Sequence, residues 1–148
     1  MRVTLSDTAR QYIALFEDVT GATARDCLVR EEDDADGEGD ERVTFLVAAG
    51  EMGQAIGPGG RRVQQVEEKL GREVTLVEDA DTAEAFVANA LAPAVVNHVT
   101  ISEQNDRVAY VEVDAEDRGV AIGVDGRNIR VARELARRHW DLDDVQLT

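Results

Sequence analysis

The stretch VTFLVAAGEMGQAIGPGGRRVQQVEEKL, from Val43 to Leu70, realigns without a gap on AYVEVDAEDRGVAIGVDGRNIRVARELA, from Ala109 to Ala136. Val47 falls on Val113, Ala49 on Ala115 and Gly53 on Gly119. The run Ala55-Ile56-Gly57 falls on Ala121-Ile122-Gly123, Gly60-Arg61 on Gly126-Arg127, and Glu68 on Glu134. A repeat of this kind limits the fold strongly, because each copy must close as a supersecondary unit. The flanking patterns recur in the same order, so the chain reads as two like domains, residues 1–78 and 79–148. No flexible linker is visible where they join, near Glu78 to Ala80, so the halves are expected to pack closely.

Each half opens with a helix. Ser6 is a candidate N-cap, and Ala9, Tyr12, Ile13, Phe16 and Val19 form an apolar stripe at helical spacing that Gly21 ends. In the second half Asp81, with Glu84 three residues on, resembles a capping box. There the stripe is Ala83, Phe86, Val87, Ala90 and Leu91, and Pro93 ends it. Two strands follow in each half: Asp26 to Arg30 and Arg42 to Ala48, then Val95 to Ser102 and Arg107 to Val113. The linker Glu31 to Glu41, EEDDADGEGDE, reads as a solvated hairpin loop. It lacks the ligand spacing and closing bidentate Glu of an EF-hand. Each half then carries a short helix, a glycine loop, a longer helix (Arg61 to Leu70, Arg127 to Trp140) and a last strand (Glu73 to Val77, Val145 to Thr148). The expected class is α+β, with each half a three-stranded sheet covered on one face by three helices.

With aromatics at 4% of residues, the core is expected to be built from Val, Ile, Leu and Ala. Cys27 is the only cysteine, so it forms no internal disulfide, and in the apolar run Cys27-Leu28-Val29 it reads as a small buried hydrophobe. The net charge of −15 argues at first against a nucleic-acid partner. Yet Lys69 is the only lysine, and the acids are spread over every segment. That is the surface chemistry of a salt-loving cytoplasm, where molar salt screens repulsion within a few ångströms. An ordinary acidic protein that avoids RNA has the same composition, and composition alone does not separate the two.

The chemistry lies in Ile56-Gly57-Pro58-Gly59-Gly60 and Ile122-Gly123-Val124-Asp125-Gly126, both of the form I-G-x-x-G at a helix-to-helix junction. The second helix directs its unpaired N–H groups and positive dipole end at the loop. Glycines remove the Cβ atoms that would keep a phosphate chain away. Arg61 and Arg62, or Arg127, add charge, so the arrangement is an anion site. Neither loop has the Lys of a P-loop, and neither follows a strand as a dinucleotide fingerprint does. A single such loop could equally be a tight helical turn. Two in register, each followed by Arg, argue for a ligand.

A G-x-x-G loop that clamps about four backbone nucleotides marks the KH domain. The element order resembles the type II KH arrangement. Two such units in this length resemble the archaeal NusA-like transcription termination and antitermination factors, without room for the polymerase-binding and S1 domains that bacterial relatives add. The resemblance implies single-stranded RNA as partner, on one surface shared by the two domains. It implies clamps at Gly57, Pro58, Gly59 and Gly60 and at Gly123, Val124, Asp125 and Gly126. Ile56 and Ile122 would line the base groove, flanked by Arg61 and Arg62 and by Arg127, Asn128 and Arg130. RNA polymerase stays open as a second partner. A KH protein on ribosomal or other structured RNA, and a protein–protein adaptor on polymerase, remain alternatives.

Asp125 departs from the pattern, placing a negative charge where phosphate should pass. Arg127, Arg130, Arg133, Arg137 and Arg138 share a broad helix face that could compensate. From Arg118 to Arg138 six Arg stand against two acids; from Gly53 to Arg72 four basic residues stand against two. Basic charge therefore gathers around the loops, as in an RNA footprint, although a face of internal ion pairs has the same composition. His98 and His139 lack companions for a metal site, and no nucleophile–base pair is suggested. We expect no enzyme, no cofactor, no metal, no membrane segment and no signal peptide, in a monomeric cytoplasmic protein.

Overall fold

A computed structural model describes residues 3–29 and 42–148. The acidic linker expected as a hairpin loop, Glu31 to Glu41, lies outside the described residues. The chain divides into two compact units, Thr4–Asp79 and Ala80–Thr148.

In the first unit, helix α1 spans Asp7–Thr20. Ser6 Oγ accepts the Ala9 N–H at 3.1 Å, and Gly21 closes the helix in the left-handed region at φ 72°. The helix lays its stripe on a sheet of β1 (Ala24–Val29), β2 (Val43–Val47) and β3 (Val74–Glu78). Strand β2 is central, antiparallel to β1 and parallel to β3. A parallel neighbour requires a crossover, supplied here by α2 (Met52–Ile56), a 3-10 turn at Pro58–Gly60 and α3 (Arg61–Leu70). The glycine loop is therefore the midpoint of the crossover. Ala55 and Val66 pin the crossover to the same core as Phe16, Val43, Phe45 and Val47.

The second unit repeats this plan with α4 (Ala83–Ala90), β4 (Val96–Ser102), β5 (Val108–Val113), α5 (Arg118–Ile122), a 3-10 turn at Val124–Gly126, α6 (Arg127–Trp140) and β6 (Asp144–Leu147). Strand β5 is central, antiparallel to β4 and parallel to β6. The fold is thus α+β in both halves, each with one three-stranded sheet and three helices, as expected.

The structure corrects three details. Thr82, not Asp81, caps α4: it has extended backbone, and its hydroxyl accepts the Ala85 N–H at 3.2 Å, a position Asp81 reaches one residue too early. Strands β1 and β4 begin with a register irregularity, between Ala24 and Asp26 and between Val96 and His98, which moves the start of β1 before Asp26. The core is not purely aliphatic either. Phe16, Phe45 and Phe86 are all fully buried, and Phe16 stacks on Phe45 with ring centroids 4.4 Å apart. Phe86 holds Trp140 at 5.9 Å and His139 at 6.4 Å, so His139 has the structural role read from the sequence. Cys27 is buried, and burial followed by the neighbouring Asp26 charge pushes its thiol up to about 12.

Candidate nucleic-acid interface

Both glycine loops have the same backbone. Gly57 has φ 76°, ψ 170° and Gly123 has φ 79°, ψ 170°. Gly59 has φ 62°, ψ 19°, and its counterpart Asp125 has φ 55°, ψ 27°. Gly60 and Gly126 lie at φ 77°, ψ 14° and φ 74°, ψ 15°. The bonds match as well. Gly57 N–H donates to Gly53 C=O at 3.0 Å and Gly60 N–H to Gly57 C=O at 3.0 Å. The pairs Gly123–Gly119 and Gly126–Gly123 do the same at 2.9 and 3.1 Å.

The first glycine of each loop is required twice over. Its φ and ψ belong to a region that essentially only glycine occupies. A Cβ there would also lie 2.7 Å from Arg62 Cγ, or 2.8 Å from the Asn128 nitrogen. At Gly59, Gly60 and Gly126 a Cβ would meet nothing within 4 Å, so that side of each loop is open to a ligand backbone.

The start of the following helix differs from the other long helices. Helices α1 and α4 have side-chain caps, Ser6 and Thr82, whereas α3 and α6 begin after Gly60 and Gly126 with no side-chain cap. Backbone closes the turn instead, Arg61 N–H donating to Pro58 C=O and Arg127 N–H to Val124 C=O, and the helix dipole favours negative charge beside the open loop. Ile56 (40% exposed) and Ile122 (39% exposed) stand at the loop entrances, and Val124 is 70% exposed in the second loop.

A carboxylate anchors each short helix to its sheet. Glu51 accepts the Thr23 N–H at 2.9 Å, and Asp117 accepts the Val95 N–H at 2.7 Å. Sequence reasoning missed this pair, although Glu51 and Asp117 occupy one register of the repeat and that match was a usable signal.

The structure brings Ile56, Gly57, Pro58, Gly59, Gly60, Arg61 and Arg62 together at the first loop. At the second it brings Ile122, Gly123, Val124, Asp125, Gly126, Arg127 and Asn128 together, with Arg130 on the first turn of α6. The arginine face of α6 is only partly directed to this site. Arg133 Nε pairs with Asp144 at 2.9 Å and donates to Val145 C=O at 3.0 Å. Arg137 pairs with Glu134 on its own helix, and Arg118 donates to Thr148 C=O at 2.7 Å. Arg62 donates to Gln54 C=O at 2.9 Å. The internal ion-pair reading of the arginine face therefore holds for Arg133 and Arg137. Among the described residues no cluster of three or more His, Cys, Asp and Glu could hold a metal ion, and no helix is long and apolar enough to cross a membrane.

Comparison with known proteins agrees with this geometry. Residues 10–83 match the KH domain family, and residues 83–147 match the NusA-like second KH domain. The chain is 64% identical to the probable transcription termination protein NusA of Halococcus morrhuae, over 99% of each chain. It is 60% identical to the protein of that name from Halobacterium salinarum, over the full length of both. The crystal structure of APE1850 covers 97% of this chain and 100% of its own, with a TM-score of 0.79 at 31% identity.

Proposed function

The chain belongs to the archaeal NusA-like family of tandem KH proteins, and from that premise we propose that it grips single-stranded RNA with its two glycine loops while acting in transcription termination or antitermination. One observation carries the proposal: the same open, left-handed loop occurs twice, each time ahead of a long helix that no side chain caps. A phosphate crossing the loop meets open glycine backbone and the positive end of that helix. Gly57 to Gly60 with Arg61 form the first clamp. Gly123 to Gly126 with Arg127, Asn128 and Arg130 form the second. Ile56, Ile122 and Val124 offer apolar surface to bases, as KH domains do for a splayed single strand.

The activity is binding, not catalysis. RNA polymerase is the protein partner we propose, on the strength of the relatives' names as transcription termination proteins. The working form we propose is a monomer in the cytoplasm, since each unit has its own sheet and helices and needs no second copy to complete them.

Gly59→Asp tests the first clamp. Its backbone is safe, because Asp125 already occupies the matching position at φ 55°. The variant should keep the circular dichroism and melting point of the parent and bind short single-stranded RNA about threefold more weakly at about 0.15 M salt. Unchanged affinity in the folded variant removes the first loop from the interface.

A further inference from the structure

Position two of the helix after each loop is Arg62 in the first domain and Asn128 in the second, residues of different size and charge. They nevertheless make the same bond. Arg62 Nη1 donates to Gln54 C=O at 2.9 Å, and Asn128 Nδ2 donates to Val120 C=O at 3.2 Å. In both cases the acceptor lies eight residues back, in the short helix before the loop.

The acceptors need such a donor. Gln54 C=O is one of the last carbonyls of α2 and faces no amide four residues on, because that residue is Pro58. Val120 C=O takes the matching place at the end of α5, where the residue four on is Val124, which has an N–H but opens the next 3-10 turn. Each donor also packs over the first glycine, where a Cβ would be 2.7 Å from Arg62 Cγ or 2.9 Å from Asn128 Cβ. Bond and packing together close a ring around the loop.

We propose that Arg62 and Asn128 are positioning residues, latches that hold each glycine loop in its RNA-accepting shape, and that Arg62 serves the loop instead of a phosphate. The proposal rests on the RNA-binding reading of the loops. Asn128 does the work without any charge. Its NH2 supplies two donors, and the second reaches Leu91 C=O at 3.3 Å, at the end of α4. Two carbonyl partners fix the amide orientation, since its oxygen could satisfy neither. In the first domain it is the Gln54 side chain that lies against the end of α1, its Nε2 2.8 Å from where a Cβ on Gly21 would stand.

The matched backbones supply the test. Arg62→Asn places in the first loop the residue that latches the second, and Arg62→Met keeps the apolar stem over Gly57 but removes the donor. Binding of a labelled pool of random-sequence single-stranded RNA is followed from about 0.2 to about 2 M KCl. Amide exchange at Gly60 and Arg61 is measured in the free protein. A latch predicts that Arg62→Met weakens binding by about fivefold, the worth of one hydrogen bond, with the salt slope unchanged. It predicts faster exchange in that variant, and recovery of affinity and protection in Arg62→Asn. A phosphate contact predicts that both variants weaken alike and lose about 0.7 from the slope. That result overturns the proposal, as does parental affinity in Arg62→Met. Wild-type protein that leaves the RNA unbound refutes the RNA reading instead, and the exchange rates then decide for or against the latch.

Discussion

Asp125 is a removable obstacle to phosphate in the second loop. It is exposed, sits at φ 55°, and replaces the neutral Gly59 of the first loop. Asn tolerates the left-handed region as Asp does, so Asp125→Asn removes one charge and leaves the backbone alone. A phosphate following the loop would pass roughly 6 Å from the carboxylate. Two unit charges at that distance repel by about 0.7 kcal/mol at the dielectric of water and by about 2.8 kcal/mol at an effective value of 20. For an exposed side chain we take about 1.4 kcal/mol. Screening with a Debye length of about 8 Å, at about 0.15 M salt, leaves about 0.7 kcal/mol, or threefold in affinity. At about 1 M salt the length falls to about 3 Å, and the difference shrinks to less than about 1.5-fold. The assay is fluorescence anisotropy with short single-stranded RNA across that range, with circular dichroism at each salt to certify the fold. Equal affinity of parent and variant at low salt would refute the reasoning and mean that RNA bypasses the second loop. A gain that persists undiminished at high salt would refute it too, because a bare charge effect cannot survive a 3 Å screening length.

Folding itself should depend on salt: with a net charge of −15, the melting temperature should rise steeply from low salt to molar KCl, and a flat profile would assign the acidity another cause. Gly57→Ala should destabilise the first unit by about 2 kcal/mol and abolish its latch, since it forces a side chain into a glycine-only backbone region and against Arg62; chemical denaturation and amide exchange read both effects. Cys27 should resist thiol reagents in the folded protein at about pH 8 and react on unfolding. Its folded pKa, about 12, lies above the ordinary 9.0, so the stability it contributes is complete below 9.0 and is lost as pH rises toward 12, which denaturant titrations at rising pH would show.

The repeat made most of the fold legible. Gapless alignment fixed the order of elements, and α3 and α6 have the ends their patterns imply because glycine opens each of them. Strand ends were less legible. Strands β3 and β6 are displaced by one residue, since hydrophobic alternation marks a face and not a terminus. The loop residues were readable because glycine at positive φ leaves a sequence trace. The partners of the arginines were not. Arg133 meets Asp144, Arg118 meets Thr148 and Arg62 meets Gln54 only after the chain folds back, and no periodicity encodes those meetings. The Asn128 bond to Leu91, 37 residues away, was invisible for the same reason.

Those internal bonds change what salt should do to binding. Counted from the sequence, ten basic residues lie in the two loop segments, Gly53 to Arg72 and Arg118 to Arg138. If each met a phosphate, the slope of log K against log salt would be about −7 for a single strand. A tenfold rise in salt would then weaken binding by about ten-million-fold, which no RNA-binding protein of a molar-salt cytoplasm could absorb. Arg62, Arg118, Arg133 and Arg137 are instead bonded within their own units. Arg61, Arg127 and Arg130 are the cations within one helical turn of the loops, and Lys69, Arg72 and Arg138 lie further along their helices or beyond them. Three contacts give a slope of about −2, a hundredfold loss over the same range. The rest of the affinity must come from terms that screening barely touches: close backbone contact along the open glycine loops, and base contact with Ile56, Ile122 and Val124. A measured slope near −2, with Ile122→Asn losing the same fold-affinity at every salt, would agree with that division. A slope near −7 would mean that RNA binding breaks the internal pairs, and that the arginines of α6 turn outward to the phosphates.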